Sequence, residues 1–233
     1  MNCLFTINVN DILTANARAS FMAAGRRWGC DFLECRATRI PELHPSFNKI
    51  FVATELRRYS QVCCIDADMV VRGDTPSPFA CFSEHTCFYA APDLQPQTRD
   101  AHDRIRQHVH LPHYQELESR LGMGVDRERF LANPVNSGFM VFDPSFMTEF
   151  FDLLIACLPH RCPNGLVEQA LINYLLVARY GAQLRVIGVE WNYLNPPEQA
   201  GQQPMLAWIY HFTGWGYEPH RERVATCDWN TTG

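Results

Sequence analysis

Two aspartates one residue apart, Asp66 and Asp68, follow directly on the apolar run Gln61-Val62-Cys63-Cys64-Ile65, and the apolar pattern resumes at once as Met69, Val70 and Val71. Two carboxylates at that spacing on a strand end can both turn toward one hard cation. A divalent ion held there would neutralise a diphosphate. The D-x-D pattern alone occurs in many surface turns. Its place here says more, because carboxylates against an apolar strand are costly unless they are paired or bound to a metal.

Four further groupings carry chemistry. Asn136-Ser137-Gly138 opens the apolar run Phe139 to Phe142 and reads as a small flexible turn whose amide and hydroxyl can bond sugar hydroxyls; a plain strand-entry turn fits equally well. Glu168-Gln169 lies in the first turn of a helical pattern that continues through Leu171, Ile172 and Asn173, where ordinary N-terminal acidity is the simpler account. His211-Phe212-Thr213-Gly214 ends an apolar strand of Trp208, Ile209 and Tyr210. Its histidine can complete a metal site with two carboxylates, and its glycine lets the backbone approach a ligand, although a lone histidine at a strand end is more often structural. His108, His110 and His113 have no cysteine or carboxylate at a supporting spacing and read as a solvated loop.

The elements that must position these groups alternate between strand and helix. Cys3 to Val9 suits a buried strand; Asp11 can cap a helix whose apolar face runs through Ala15, Ala19, Phe21 and Met22, and Gly29 ends it before a second strand, Asp31 to Arg36. Pro41 and Pro45 mark a loop, after which Ser46 can cap a helix carrying Ile50, Phe51, Val52 and Leu56 into the acid-bearing strand. This alternation is that of an α/β domain with a largely parallel sheet, whose strand ends are where ligands bind. Residues 92–132 are polar and read as an irregular insertion with one or two helices. Beyond it come a strand from Val135 to Phe142 closed by Asp143-Pro144, helices from Phe146 to Cys157 and from Leu166 to Arg179, and strands from Leu184 to Ile187 and Leu206 to His211.

At 233 residues the chain suits one α/β domain with a single large core. No apolar run approaches the roughly 20 residues that cross a bilayer, and the N-terminus shows no secretory signal, so an intracellular, cytoplasmic protein is expected. Ten cysteines lack zinc-finger spacing and several sit in strand-like runs, which favours buried reduced thiols. A net charge of −5 with no basic stripe excludes the electrostatic footprint of a nucleic-acid binder. Every basic residue but one is arginine; the exception is Lys49.

These motifs, in this order, resemble the family 8 retaining glycosyltransferases of the GT-A fold, the group that includes glycogenin, galactinol synthase and bacterial lipopolysaccharide sugar transferases. The likeness covers nearly the whole chain outside the central insertion. It implies an α/β GT-A fold in a single domain, residues 1–233, with a nucleotide-binding Rossmann-like half and a mixed central sheet. It also implies transfer of a hexose from a nucleotide sugar, a UDP-sugar in the family, to a glycan or other hydroxyl acceptor with retention of configuration.

Residue by residue, the family's base-holding segment resembles Thr6-Ile7-Asn8-Val9-Asn10-Asp11, and its lysine before the D-x-D looks like Lys49 in SFNKIFVATELRRYSQVCCIDADMVV. This stretch is the most specific match, with Tyr59 also in place, and it holds the only lysine of the chain. The Asn-Ser-Gly turn, an Asp-Gln pair with a downstream Leu-Asn, an aromatic-Asn step and His-x-x-Gly resemble Asn136-Ser137-Gly138, Glu168-Gln169 with Ile172-Asn173, Trp191-Asn192 and His211 to Gly214. The resemblance then makes Asp66, Asp68 and His211 the ligands of Mn2+ or Mg2+. Thr6, Asn8, Asn10, Lys49, Ala67, Ser137, Gly138, Asn192 and Gly214 join the two aspartates in holding the donor, and Asn136, Glu168 and Gln169 position sugar and acceptor.

Three positions depart from the family pattern. Leu13 stands where an aromatic residue often stacks on the base, Glu168 is one methylene longer than the family's aspartate, and Tyr217 replaces a lysine that steadies the leaving diphosphate. Arg221 or Arg223 is a cation near enough in sequence to substitute. Two other readings compete: a haloacid dehalogenase-type phosphatase with Asp66 as nucleophile, which needs a later lysine and a late acidic pair, and an inactive nucleotide-sugar or glycan binder that has lost the leaving-group lysine.

Overall fold

The computed structural model describes residues 1–95, 102–162, 166–194, 207–212 and 218–227, with the backbone alone at 52, 53 and 218–221. From the N-terminus run β1 (Cys3–Ile7), α1 (Ala15–Trp28), β2 (Asp31–Cys35), α2 (Asn48–Glu55), β3 (Val62–Ile65), β4 (Met69–Val71), α3 (Pro78–Cys81) and β5 (Phe88–Pro92). Then come α4 (His102–Ile105), α5 (Leu111–Leu121), α6 (Arg127–Ala132), β6 (Val135–Phe142), α7 (Thr148–Ala156), α8 (Leu166–Leu175), β7 (Leu184–Val186), β8 (Tyr193–Leu194), β9 (Ile209–His211) and α9 (Glu218–Thr226). Among the described residues no helix is long and apolar enough to cross a membrane.

Six strands form the central sheet in the order β2-β1-β3-β6-β5-β7. Its first three strands are parallel, as are β5 and β7, whereas β6 runs antiparallel to both β3 and β5, so the sheet is mixed, as the family resemblance implies, rather than largely parallel. Side chains alternate across a strand with period two, and both faces here are covered. Cys3, Phe5 and Ile7 of β1 with Cys64 and Met140 face α2, α5, α7 and α8, while Leu4, Cys63, Ile65 and Phe139 face α1 and the small sheet. Burial on both faces is why β3 and β6 read as continuous apolar runs.

The small sheet, β4-β9-β8, decides the site. The apolar run after the acids does not resume the strand before them: β4 leaves the central sheet and pairs antiparallel with β9, Met69 opposite His211. Asp66-Ala67-Asp68 is therefore the step between two sheets.

Several local expectations are corrected. Thr14, not Asp11, caps α1, its hydroxyl accepting from the Ala17 N–H at 3.1 Å. Asp11 lies in a short 3-10 turn, Val9–Asp11, where it and Asn10 take left-handed backbone (φ 52° and 61°). The buried stripe of α1 is Ala17, Ser20, Phe21 and Ala24; Ala15, Ala19 and Met22 face outward. In so alanine-rich a helix the periodicity is weak. Ser20 can lie inside because its hydroxyl donates to Ala17 O and accepts from Val71 N–H.

The turn Pro45–Phe47 that feeds α2 is capped by His44, whose Nδ1 accepts from Ser46 N–H, so Ser46 is not the cap. The insertion holds more helix than the one or two segments expected: residues 102–121 and 127–132 are helical, α4 and α5 being joined by the π-helical Arg106–His110. β5 is a strand that the sequence reading passed over. All ten cysteines are free; seven are buried as expected, while Cys30 and Cys35 are half-buried and Cys81 is exposed.

Candidate metal centre and cleft

Asp66 follows the last residue of β3 and is fixed by its N–H donating to Gly138 O at 2.9 Å. Asp68 precedes β4, and its carbonyl accepts from Phe212 N–H at 3.0 Å, which draws the end of β9 alongside. The result is convergence. His211 Nε2 lies 3.2 Å from Asp68 Oδ1 and 3.9 Å from Asp66 Oδ2, and one ligand atom from each of the three lies within 4.8 Å of the others. A single divalent ion at about 2.1–2.4 Å from each would close this arrangement. Oxygen and imidazole ligands in that ratio fit a borderline or hard divalent metal.

Lys49 projects from α2 into the same centre. Its Nζ is 2.7 Å from Asp66 Oδ1 and 3.7 Å from Glu168 Oε2, and it donates to Ser137 O and Oγ. Burial pushes the ammonium toward neutrality, but Asp66 and Glu168 outweigh that and raise its pKa. The chain's only lysine is thus a buried, charged strut under one metal-ligand candidate.

Asn136, Ser137 and Gly138 belong to β6 itself, not to a flexible turn. Each is held. Ser137 N–H donates to Gln169 Oε1 at 3.1 Å and Ser137 Oγ to Glu168 Oε2 at 3.2 Å, while Asn173 of α8 both accepts from Val135 N–H and donates to Val135 O. Gly138 is required sterically, because the His211 ring occupies the space of a β-carbon. Glu168 is 1 % exposed and its Oε1 has no hydrogen-bond partner among the described residues; burial raises its pKa to about 7, partly offset by Lys49.

Beside the centre lies a cleft of about 360 Å³ lined by Ile7, Val9, Asn10, Ile12, His44, Pro45, Ser46, Lys49 and Asp66-Ala67-Asp68. Thr6 and Asn8, expected to face a ligand, are enclosed: Asn8 Oδ1 accepts from Leu13 N–H and its amide donates to Glu34. Leu13 is buried in the core between α1 and the small sheet, and its neighbour Ile12 takes the cleft wall. Asn192 is fully buried, with its amide donating to Asn136 and its oxygen against His211 Nδ1. Gly214 and Tyr217 lie outside the described residues, as does the side chain of Arg221. Arg223 stacks over Phe212, its Cζ 5.2 Å from the ring centroid.

Sequence reasoning missed His44, Ser46 and Ile12 on the cleft, and Asp93 and His110 behind it. His110 is not in a solvated loop: it is 2 % exposed, with Nε2 3.0 Å from Asp93 Oδ2. Asp93 carried a usable signal, since it follows the apolar run Phe88 to Pro92 just as Asp66 follows Val62 to Ile65.

Solved structures share this architecture. The apo WbbM bifunctional glycosyltransferase matches with a TM-score of 0.59 at 14 % identity, over 98 % of this chain and 50 % of that one. A glycosyltransferase involved in glycosylation of the major capsid of PBCV-1 matches at 0.61 and 11 %, over 97 % and 99 %. The glycosyltransferase GlyE of Streptococcus pneumoniae TIGR4 matches at 0.50 and 12 %, over 98 % and 62 %. The chain thus spans half the length of WbbM and under two thirds of GlyE. No protein-family model and no curated protein matches it. At these identities the likeness is one of fold, and the fold is the mixed α/β GT-A arrangement of these glycosyltransferases.

Proposed function

We propose that the chain is a metal-dependent glycosyltransferase that moves a hexose from a nucleotide sugar, a UDP-hexose, to a glycan or other hydroxylated acceptor with retention of configuration, in the manner of family 8. The observation that carries this reading is the convergence of Asp66, Asp68 and His211 from two different sheets at the mouth of a cleft, with Lys49 bound to Asp66. The GT-A architecture supports it.

Asp66, Asp68 and His211 would hold Mn2+, which the mixed oxygen and nitrogen set favours, or Mg2+. Bound there, the ion would supply Lewis-acid stabilisation for a leaving diphosphate. Lys49 adds fixed positive potential beside the same diphosphate from a water-poor position, where such charge acts most strongly.

Ile7, Val9, Asn10 and Ile12 form the wall for base and ribose, with Thr6 and Asn8 shaping the loop behind it. Gln169 and Glu168, clamped to Ser137, set the sugar side of the site, and Asn136 and Gly138 support the metal-binding imidazole. Attack on the face from which the diphosphate departs gives retention. The chain acts as one catalytic domain.

A screen of nucleotide sugars with and without Mn2+, reading free nucleoside diphosphate, tests the proposal. Metal-dependent hydrolysis of one UDP-hexose is expected. Tight binding of a UDP-sugar with no diphosphate released over hours, with any acceptor, overturns it in favour of an inactive binder.

A further inference from the structure

Three side chains run in line behind His211. Asn136 Nδ2 donates to Asp93 Oδ1 at 2.8 Å, Asn192 Nδ2 donates to Asn136 Oδ1 at 2.9 Å, and Asn192 Oδ1 lies 2.8 Å from His211 Nδ1. Asn192 and Asn136 are 0 % and 7 % exposed, so water does not offer them other partners. An amide has one accepting end and one donating end, and a carboxylate only accepts. The direction of the whole line follows from that. Asp93 requires the NH2 of Asn136; Asn136 then turns its oxygen to Asn192, and the Gly138 N–H donating to the same oxygen at 2.9 Å fixes it a second time. Asn192 must then give its NH2 to Asn136 and its oxygen to the ring.

We propose that Asn192 and Asp93 are positioning residues of the metal centre, the line accepting the Nδ1–H of His211 and so aiming Nε2 at the point between Asp66 and Asp68 where a cation would sit. The inference rests on the metal-binding reading of the site. It gives Asn192 a role other than donor contact, since both ends of its amide are engaged. Asp93 is held in its charged, accepting form: burial opposes ionisation, but the His110 ring, with Nε2 3.0 Å away, and the Asn136 hydrogen bond prevail and lower its pKa. An outer hydrogen bond of this kind orients a metal-bound imidazole and raises its basicity.

Calorimetric titration with Mn2+ tests it. The expected result is an affinity about 10- to 100-fold below wild type in Asn192→Leu, which keeps the volume and removes the acceptor at Nδ1. Asn136→Asp alone sets two carboxylates against each other and should also lose affinity, whereas the exchange Asp93→Asn with Asn136→Asp reverses donor and acceptor between those two positions, preserves the direction toward the ring and should restore it. Wild-type affinity in Asn192→Leu overturns the proposal, as does an exchange variant no better than Asn136→Asp alone. Should Asn192→Leu fail to fold, the comparison of Asn136→Asp with the exchange variant still decides. Failure of the wild type to bind Mn2+ would sink the metal reading instead.

Discussion

The imidazole of His211 lies against the α-carbon of Gly138: a β-carbon at position 138 would stand 2.5 Å from Cε1 and 2.9 Å from Nδ1 of the ring. Strand β6 of the central sheet thereby acts as the backstop for a side chain delivered by the small sheet. Gly138→Ala should push the ring out of reach of the two carboxylates. We expect Mn2+ affinity to fall more than tenfold, with a stability loss of about 1–3 kcal/mol from overpacking. Metal titration and thermal melts on the same variant check both figures.

Lys49 offers a test of charge rather than shape. Lys49→Met leaves Glu168 buried beside an apolar stem and removes the partner of Asp66, so a loss of about 3–5 kcal/mol is expected, as when one side of a buried ion pair is deleted. Adding Glu168→Gln should recover part of that loss, because it removes the stranded carboxylate. Urea denaturation of the single and double variants measures the coupling, and additive losses would contradict it.

Glu168 predicts a pH dependence. Burial raises its pKa from 4.5 to about 7 in the folded protein, so the folded state binds the proton more tightly than the unfolded one. The contribution to stability is therefore full below about 4.5 and is lost as pH rises through about 7. Relative to Glu168→Gln, the wild type should lose melting temperature across that window. Parallel curves for the two proteins would show that the carboxyl does not titrate there.

Asp68→Asn should abolish metal-dependent release of nucleoside diphosphate while leaving the fold intact, since the side chain keeps its size at the edge of a cleft. Chelation of the wild type with EDTA should have the same effect and be reversed by Mn2+. Full transfer activity in Asp68→Asn with metal present would end the donor-activation reading.

Ile12 and Leu13 separate binding from packing. Ile12 lines the cleft and Leu13 sits in the core. Ile12→Ala should weaken nucleotide binding and, because Ile12 is only partly buried against the same core, cost less stability than the Leu13 change. Leu13→Ala should cost about 2–4 kcal/mol and leave affinity nearly unchanged. Calorimetry with UDP, together with melting curves, distinguishes them.

Much of the site was legible because its signals are local. An acid pair ending an apolar strand and a histidine closing a later strand can each be read from a few neighbouring residues, since strand burial and charge cost act over that range; Lys49 stood out as the only lysine, and its place beside them came from the family resemblance. Asp93 was readable by the same rule and was missed because β5 went unrecognised. Asn136, Ser137 and Gly138 were found but misjudged: a small polar triplet reads as a turn when the side chains that clamp it, from Asp93, Gln169, Glu168, Lys49 and Asn192, come from four separate parts of the chain.

By itself the sequence determined which groups are present and which strand or helix carries each, together with the alternation of elements that an α/β fold requires. The tertiary structure decided what those groups face. The sheet switch at Ala67, the antiparallel pairing of β4 with β9 and the step of β6 into the central sheet all depend on contacts between residues far apart in the chain. Those contacts bring His211 to Asp68 and turn Ile12 rather than Leu13 to the cleft, because which of two adjacent apolar residues is enclosed depends on the packing partner across it and not on either residue alone.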